Sequence, residues 1–375
     1  MVSADISRLP VKSILRFRSV CKAWAAWSSD QHFAYKHLNA NQNNDIEGGS
    51  ASAIHCVIPS LGEGEGEQNQ IVYNCSLQKL IDSEHSNSCS DGCHVTKAST
   101  RKVHVGSSSG NSMYCIGVCN GLMCCDYMGK FVIWNPTTKK TKSYSIASDS
   151  GDAPTYSMPT VDSSLGFGFD ATTNTHKAIL LWYKKPSLGG VGERMVFVCS
   201  FPTCRWRRIY QGITYKPNQT TGILFNGALH WLVIASFSSS YFIFAVDLTT
   251  EQGSISPVPV RVATGLFHPI ELGVLRGCLA LLGNDVVWTM KNYGVEDSWE
   301  KLFMFPRCEF CPDRSMPLPI WISEKGVAVL CINEFGMVSF DIKQQKFEKI
   351  PTHSTTRISK SWVSKSFAKS LLLPP

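Results

Sequence analysis

The last three quarters of the chain carry a weak internal repeat that few folds can accommodate. Each copy contains a Gly-led apolar strand, a second strand that ends in an aromatic or acidic residue, a Thr- or Lys-rich turn and a last strand. Short runs rich in Val, Ile, Phe, Tyr and Trp, separated by Gly, Asn, Asp and Thr, favour β-strands over helices. The five copies begin at Gly121, Gly166, Gly222, Gly273 and Gly326.

The spacing of the repeat indicates the architecture. The turns at Thr137 and Thr203 are 66 residues apart, Thr249 follows after 46, and Lys343 after a further 94 that span two copies. Repeats of about 40 to 50 residues, each a small antiparallel sheet, are typical of β-propeller blades. One such sheet alone exposes two edges and an apolar face, which stacking in a ring buries. The sequence therefore predicts a mostly β protein built around a propeller.

The number of blades depends on residues 54–108, which contain strand-like pieces without the full repeat. We interpret them as a degenerate blade, which gives a propeller of about six blades. A ring removes its free edges only by joining its two ends. We therefore expect the strands near residues 337–350 to pair close to the first blade, around residues 55–108.

The first forty residues follow a helical period instead. Pro10 suits a first helical turn, because its missing N–H would be unpaired there in any case. The pattern fits either one helix or two short helices separated by a β-like turn, and it predicts a short N-terminal α segment. Apolar residues recur at steps of three and four, as on one helix face: Ile14, Phe17, Val20, Trp24 and Trp27.

A polar stretch separates the two parts of the chain. Residues 39–52 are rich in Asn and Gly, a composition that favours a linker over a packed element. We therefore predict a helical unit over residues 1–38, a polar linker over 39–54 and a propeller domain over 55–375.

Composition and charge exclude several classes of function. Of the residues, 43% are hydrophobic and 17% are charged, so the chain buries a sizeable core. The formal net charge of +7 is too small for a phosphate-binding surface by itself, and no apolar stretch is long enough for a membrane span. The N-terminus has no basic start followed by an unbroken apolar core, so we expect no secretory signal. Several of the fifteen cysteines lie in apolar runs typical of reduced thiols. We expect a cytoplasmic or nuclear protein that has neither nucleic acid nor a membrane as a partner.

Specific motifs extend this interpretation. The stretch Ser7-Arg-Leu-Pro-Val-Lys-Ser-Ile-Leu-Arg-Phe-Arg-Ser-Val-Cys-Lys-Ala-Trp24, followed by Ser29-Asp, resembles the second half of an F-box. The repeat region resembles the plant-type F-box-associated domain, which is kelch-like. The motifs of the second resemblance include Cys119-Asn-Gly-Leu-Met, Trp134-Asn-Pro-Thr-Thr, Gly166-Phe-Gly-Phe-Asp170, Asn226-Gly-Ala-Leu-His-Trp231 and Phe244-Ala-Val-Asp-Leu-Thr-Thr250.

The resemblance implies a substrate receptor of an SCF-type ubiquitin ligase. In that family the F-box docks on a Skp-type adaptor, and through it on a cullin, while the propeller captures an unknown target protein. The apolar helical stripe then supplies either the adaptor-facing residues or the core of the helical unit, and forty residues cannot bury seven large apolar groups well alone. The predicted adaptor-binding residues are Leu9, Pro10, Ile14, Leu15, Val20, Cys21 and Trp24.

The sequence departs from the family pattern at its start. An F-box usually opens with an earlier Leu-Pro and a longer first helix, whereas Met1 falls inside that helix here. We therefore expect the adaptor to bind only weakly. The alternative function is a stand-alone propeller that binds proteins and has lost its adaptor.

Other candidate sites carry weaker signals. Cys308 and Cys311 have the spacing of half a zinc site, but no second pair of cysteines lies at a suitable distance. His230 lies in an apolar run and is interpreted as a core or inter-blade histidine. No nucleotide-binding or hydrolase motif is present, although clustered acidic and basic residues at one mouth of the ring would favour a propeller hydrolase. We therefore expect no catalytic residue, cofactor or metal, and target binding by the connections over residues 148–164, 184–193 and 307–319.

Overall fold

The computed structural model describes most of the chain, with gaps. The residues that it describes are 6–47, 54–57, 73–76, 96–97, 114–127, 129–148, 163–184, 193–235, 240–259, 271–283, 285–311, 317–323, 325–332, 336–349, 365–367 and 370–375.

Three helices form the N-terminal helical segment: α1 (Val11–Phe17), α2 (Lys22–Trp27) and α3 (Gln31–Glu47). The chain is extended at Cys21, so the apolar stripe belongs to two short helices rather than one. Asp30 lies just before α3, and its Oδ2 accepts a hydrogen bond from the Phe33 N–H at 2.8 Å. This N-cap explains why the Ser-Asp pair ends one helix and starts the next.

The structure corrects part of the predicted linker, because α3 continues through residues 39–47. Asn is a poor helix former, and the composition alone therefore favoured an irregular segment. A helix that has already nucleated gains one hydrogen bond for each added residue, and a polar helix end needs no apolar face.

The propeller consists of small antiparallel sheets. Three short strands come first: β1 (Ile54–Val57), β2 (Tyr73–Ser76) and β3 (Thr96–Lys97). The first blade contains β4 (Tyr114–Cys119), β5 (Leu122–Tyr127), β6 (Lys130–Asn135) and β7 (Lys140–Ser145). The second contains β8 (Ala147–Ser148), β9 (Ser164–Asp170), β10 (Thr175–Lys184), β11 (Glu193–Ser200) and β12 (Arg205–Gln211).

Three further blades follow. The third contains β13 (Tyr215–Pro217), β14 (Ile223–Phe225), β15 (Ala228–Ala235), β16 (Tyr241–Asp247) and β17 (Gly253–Pro257). The fourth contains β18 (Glu271–Leu275), β19 (Cys278–Gly283), β20 (Val286–Met290) and β21 (Trp299–Met304), with a 3₁₀ turn at Glu296–Ser298. The fifth contains β22 (Leu318–Ile322), β23 (Val327–Ile332), β24 (Gly336–Asp341) and β25 (Lys346–Lys349). The five blades coincide with the five copies of the sequence repeat.

The two ends of the chain meet in one further sheet. The last strand, β26 (Lys365–Phe367), pairs with β1 so that Ile54 is opposite Phe367, and the strand order is β26-β1-β2-β3. The predicted pairing of residues 337–350 with the first strands is therefore wrong in detail. Strands β24 and β25 complete the blade that β22 and β23 begin. A later strand must therefore pair with the first strands to join the two ends of the propeller.

A glycine at the head of the second repeat allows two neighbouring blades to approach closely. A Cβ atom on Gly166 of the second blade would lie 2.9 Å from the Trp231 ring of the third blade. A Cβ atom on Gly222, just before β14 in the same blade as Trp231, would lie 2.6 Å from that ring. Trp231 is fully buried, so its ring fills this contact. This geometry supports the interpretation of Trp231 as an inter-blade packing residue.

The blades have two distinct faces. The four antiparallel strands of a blade, β4 to β7 in the first and β9 to β12 in the second, alternate in direction. The turns after the first and third of these four strands therefore lie on one face, and the other connections lie on the opposite face. The helical segment contacts residues at the ends of β4 and β9, which lead into turns of the first kind. We call this the helix-side face and the other the opposite face.

Candidate functional site

The helical segment places one predicted adaptor-binding residue in its own core. Ile14 of α1 is fully buried, in one hydrophobic cluster with Phe33 and Leu38 of α3. In this structure it takes the second of the two roles that the sequence left open for the stripe, the core of the helical unit. The apolar stripe on α1 packs against apolar residues of α3, which follows the Ser-Asp pair at which the sequence pattern ends.

The turn between α1 and α2 exposes apolar side chains instead. Val20 is 67% exposed and is the most exposed large hydrophobic side chain among the described residues. Cys21 is also exposed and Trp24 is half-buried. We call these three residues the α1–α2 edge, and an apolar edge of this kind is available to a partner.

The other three predicted residues lie at the borders of this edge and of the core. Pro10 is exposed, and Leu9 and Leu15 are partly buried against the hydrophobic cluster. Their role in adaptor binding remains a prediction.

A chain of aromatic rings fixes the three helices to each other. Trp24 contacts Phe17 and Trp27 edge to face, with ring centroids 5.5 and 5.7 Å apart. Trp27 in turn packs on Phe33, at 3.7 Å between centroids. Trp24 therefore helps to hold the helices together, while part of its surface stays exposed to a partner.

Polar contacts outside the stripe also hold the helices together. The Nε2 of His37 donates to the Leu9 carbonyl at 2.8 Å, and the Arg18 guanidinium donates to the hydroxyls of Ser28 and Ser29. Burial lowers the pKa of His37, and this effect is larger than the increase caused by the hydrogen bond to the Leu9 carbonyl. Sequence reasoning missed His37, because a lone histidine on a polar-looking helix carries no distinctive signal.

One face of α3 packs on the propeller. The Tyr35 ring stacks on Phe169 at the end of β9, and burial raises the pKa of the Tyr35 hydroxyl, with a smaller effect of nearby Cys119. The buried residues of the helical segment belong to the same hydrophobic cluster as Phe167 and Phe197 of the second blade. The α1–α2 edge is thus carried on a unit that is packed against the ring.

The C-terminal residues join this contact. Leu371 and Leu372 are buried in the same cluster, and Asn135 at the end of β6 donates to the carbonyls of Ser370 and Leu372 at 3.1 and 2.7 Å. The Asn135 Oδ1 also accepts from the N–H groups of the turn that follows it. One buried amide therefore closes a blade turn and holds the C-terminal segment.

A buried charge network links the second and third blades. The Lys177 ammonium of β10 lies 2.9 Å from the Asp170 carboxylate and 3.1 Å from Glu251, and it donates to the Leu248 carbonyl at 2.6 Å. Burial alone raises the pKa of Asp170, but hydrogen bonds from Thr173 and Lys177 outweigh it and hold the pKa well below its usual range. The network is structural, because its charges are neutralised within the protein.

The remaining histidine candidate also has a structural place. The Nε2 of His230 lies 2.8 Å from the Tyr293 hydroxyl of the next blade, and Nδ1 lies 3.3 Å from the Ile223 carbonyl. Burial lowers the pKa of His230 to about 4. The prediction of an inter-blade histidine is confirmed.

Other candidates give no metal or membrane site in the described part of the chain. No group of three or more His, Cys, Asp or Glu side chains there could hold a metal ion. Within the same ranges, no helix combines the length and hydrophobicity needed to cross a bilayer. Most of the connections predicted to bind the target, over residues 148–164 and 184–193, lie outside the described residues.

The fold and the helical segment together define a β-propeller protein with an N-terminal helical unit packed on one face. Residues 77–373 match the family described as the F-box associated beta propeller domain, and residues 6–36 match the F-box domain. The first match covers most of the chain, so the protein belongs to the F-box-associated β-propeller family.

Several known proteins are similar to the chain over most of its length. The F-box/kelch-repeat protein At3g23880 of Arabidopsis thaliana is 27% identical over 389 residues, covering 100% of this chain and 94% of the relative. The F-box protein CPR1 of Arabidopsis thaliana is 25% identical over 379 residues, covering 92% and 81% respectively. Among solved structures, a periplasmic gluconolactonase of Pseudomonas aeruginosa aligns at 10% identity and a TM-score of 0.41, covering 85% of this chain and 100% of its own. We draw no functional inference from that alignment.

Proposed function

We propose that the protein is a substrate receptor of an SCF-type ubiquitin ligase, in the cytoplasm or nucleus. Its F-box would dock on a Skp-type adaptor and through it on a cullin, and its propeller would bind the protein to be ubiquitinated. The observation that carries the proposal is the F-box match over residues 6–36, joined to an F-box-associated propeller. The exposed α1–α2 edge within that match supplies an apolar contact surface.

The packing of the helical segment supports a positioning role without catalysis. Tyr35 and the C-terminal residues Leu371 and Leu372 fix this segment to the helix-side face. A target bound at the opposite face would then be held at a set distance from a ligase bound to the F-box. Holding two reactants in a defined geometry by itself greatly increases the rate of their reaction, so the receptor needs no catalytic residue of its own.

We also propose that the ring has six blades and that the unit boundaries are 1–38 for the F-box and 55–375 for the propeller. The sheet β26-β1-β2-β3 supports the sixth blade, because its inner strand β26 neighbours the inner strands of both the first and the fifth blades. Joining the first and last strands in one sheet is how a ring removes its free edges.

Calorimetry with a purified Skp-type adaptor tests the proposal. We expect the full chain to bind, and we expect Val20→Asp to weaken binding at least tenfold, because a buried hydrophobic anchor typically contributes about 2 kcal/mol or more at an interface. Ile255→Asp is the matched control, since Ile255 is 42% exposed on the third blade, far along the chain from the helical segment. Equal binding by the wild type and Val20→Asp would show that the edge is not the adaptor site.

Absence of adaptor binding by the full chain would overturn the ligase proposal and leave the stand-alone binding propeller. Purification of the tagged protein under proteasome inhibition would then separate the two functions. A receptor should recover cullin and ubiquitinated target together, whereas a stand-alone propeller should recover the target alone.

A further inference from the structure

Two cysteines lie together in the connection between the fourth and fifth blades. Cys308 and Cys311 follow β21, and the Cys311 N–H donates to the Cys308 carbonyl at 3.3 Å, closing a four-residue turn. The ends of such a turn lie within about 7 Å of each other, the range that a disulfide spans. Both thiols are free in this structure.

The two thiols lie within hydrogen-bonding range of each other. The hydrogen bond with Cys311 lowers the pKa of Cys308. The same contact raises the pKa of the Cys311 thiol. The Cys308 sulfur is therefore the one of the two that more readily carries the negative charge of a thiolate.

Exposure separates this pair from the other contacting thiols of the described residues. Cys199 and Cys204 also share a hydrogen bond, but they are 0% and 1% exposed in the core of the second blade. Cys308 keeps 7% of its surface, and Cys311 is only partly buried. Of these two pairs, the one in the inter-blade connection is the more exposed to solvent.

We propose that Cys308 and Cys311 form a reversible disulfide in exchange with a low-molecular-weight disulfide such as oxidised glutathione. The Cys308 thiolate attacks one sulfur of glutathione disulfide, forms a mixed disulfide and releases one glutathione thiolate. Cys311 then loses its proton and attacks the Cys308 sulfur, which releases the second glutathione. Two electrons pass from the cysteine pair to the glutathione disulfide, and reduced glutathione reverses both steps.

The site does not depend on the proposed ligase function. It would tie residues 308 and 311 at the start of a connection on the opposite face of the propeller. A dithiol with these properties responds to the ratio of oxidised to reduced glutathione around it and needs no metal ion.

The test is titration of the full-length protein with defined ratios of oxidised to reduced glutathione, followed by intact mass and peptide mapping. We expect a loss of two hydrogen atoms, a linked peptide that joins residues 308 and 311, and full reversal by reduced glutathione. In Cys311→Ser we expect a stable glutathione adduct on Cys308, because the resolving thiol is absent. In Cys199→Ser, the matched control for the buried pair, the linkage between 308 and 311 should form as in the wild type.

Two results would overturn the proposal. One is a folded protein in which Cys308 and Cys311 stay reduced at every ratio while exposed Cys21 becomes glutathionylated. The other is an equal rate of adduct formation on Cys308 in Cys311→Ser and on Cys311 in Cys308→Ser, which would mean that Cys308 is not the more reactive thiol of the pair. Circular dichroism on each variant separates a loss of folding from a loss of reactivity.

Discussion

The ring of Tyr35 on α3 stacks on the ring of Phe169 at the end of β9, with centroids 5.7 Å apart and an interplanar angle of 27°. This contact joins the helical segment to the innermost strand of the second blade. The position of the α1–α2 edge relative to the propeller therefore depends in part on this aromatic contact, beside the hydrophobic cluster that the helices share with the blades.

Replacing Tyr35 with alanine should loosen the helical segment without unfolding the propeller. An aromatic pair contributes about 0.5–1.5 kcal/mol beyond its buried area, so we expect faster amide exchange in α1 to α3 and little change in the blades. Tyr35→Phe is the control, because it keeps the ring and should leave exchange in the helices unchanged. Simultaneous loss of protection in the second blade would show that the two units unfold together.

We expect the turn at position 135 to require asparagine, although the matching turns of two other blades have aspartate. Asp247 and Asp341 hold their turns through one carboxylate oxygen, as Asn135 does through Oδ1. Only Asn135 also donates, through Nδ2, to the carbonyls of Ser370 and Leu372. Asparagine is required where one side chain must both accept from a turn and donate to a second segment.

Asn135→Asp should therefore keep the turn and release the C-terminal residues. Two buried carbonyls would lose their donors, and we expect a loss of about 1–3 kcal/mol in the free energy of unfolding, measured with urea. Amide exchange should increase in residues 370–373 and not in the turn itself. Asp247→Asn, as the reciprocal control, should change stability far less, and a loss of similar size there would contradict this explanation.

Local chemistry explains why much of the propeller could be predicted from the sequence. The turns at Asn135, Asp247 and Asp341, in three of the blades, are each closed by a side chain that accepts hydrogen bonds from backbone N–H groups two and three residues ahead. Such turns recur wherever the same short motif recurs, so the five repeats give the five blades. The pairing of Ile54 with Phe367 joins opposite ends of the chain, and no local pattern specifies it.

The candidate site could be predicted only in part for a related reason. The helical stripe identified Val20 and Trp24, which the structure leaves accessible, together with Ile14, which it buries. Periodicity shows that a residue lies on an apolar face but not which neighbour covers that face. Phe33 and Leu38 decide this, and they lie on a different helix.

Stability should decrease with acidification below about pH 6.5, because His176 and His230 are buried in neutral form. Burial lowers the pKa of each to about 4. Above pH 6.5 both the folded and the unfolded states are neutral, so the full stability is present. Between 6.5 and 4 only the unfolded state takes up the proton, which costs about 1.4 kcal/mol per pH unit for each histidine.

His176→Phe should remove one of these two contributions. The His176 ring lies flat on Phe167, at 9° and 5.4 Å between centroids, so phenylalanine retains the packing without the titrating group. Urea midpoints between pH 8 and pH 4.5 measure the effect, and the variant should match the wild type at pH 8 and lose less at low pH. Parallel pH profiles would show that His176 does not carry the dependence.

The network around Lys177 should be among the most sensitive positions of the propeller. Lys177→Met removes the ammonium but leaves the Asp170 carboxylate buried, with its side chain 0% exposed, and breaking a buried pair in this way costs about 3–5 kcal/mol.

Two further variants distinguish the effect of the buried ion pair on stability from the effect of side-chain packing. Adding Asp170→Asn to Lys177→Met removes the uncompensated charge and should recover part of the stability, whereas a packing defect alone would not be repaired. Lys346→Met is the matched control, because it breaks the exposed Lys346–Glu348 pair, and solvent screens such pairs strongly. Equal losses of unfolding free energy in Lys177→Met and Lys346→Met, measured at neutral pH, would contradict a role for burial in the network.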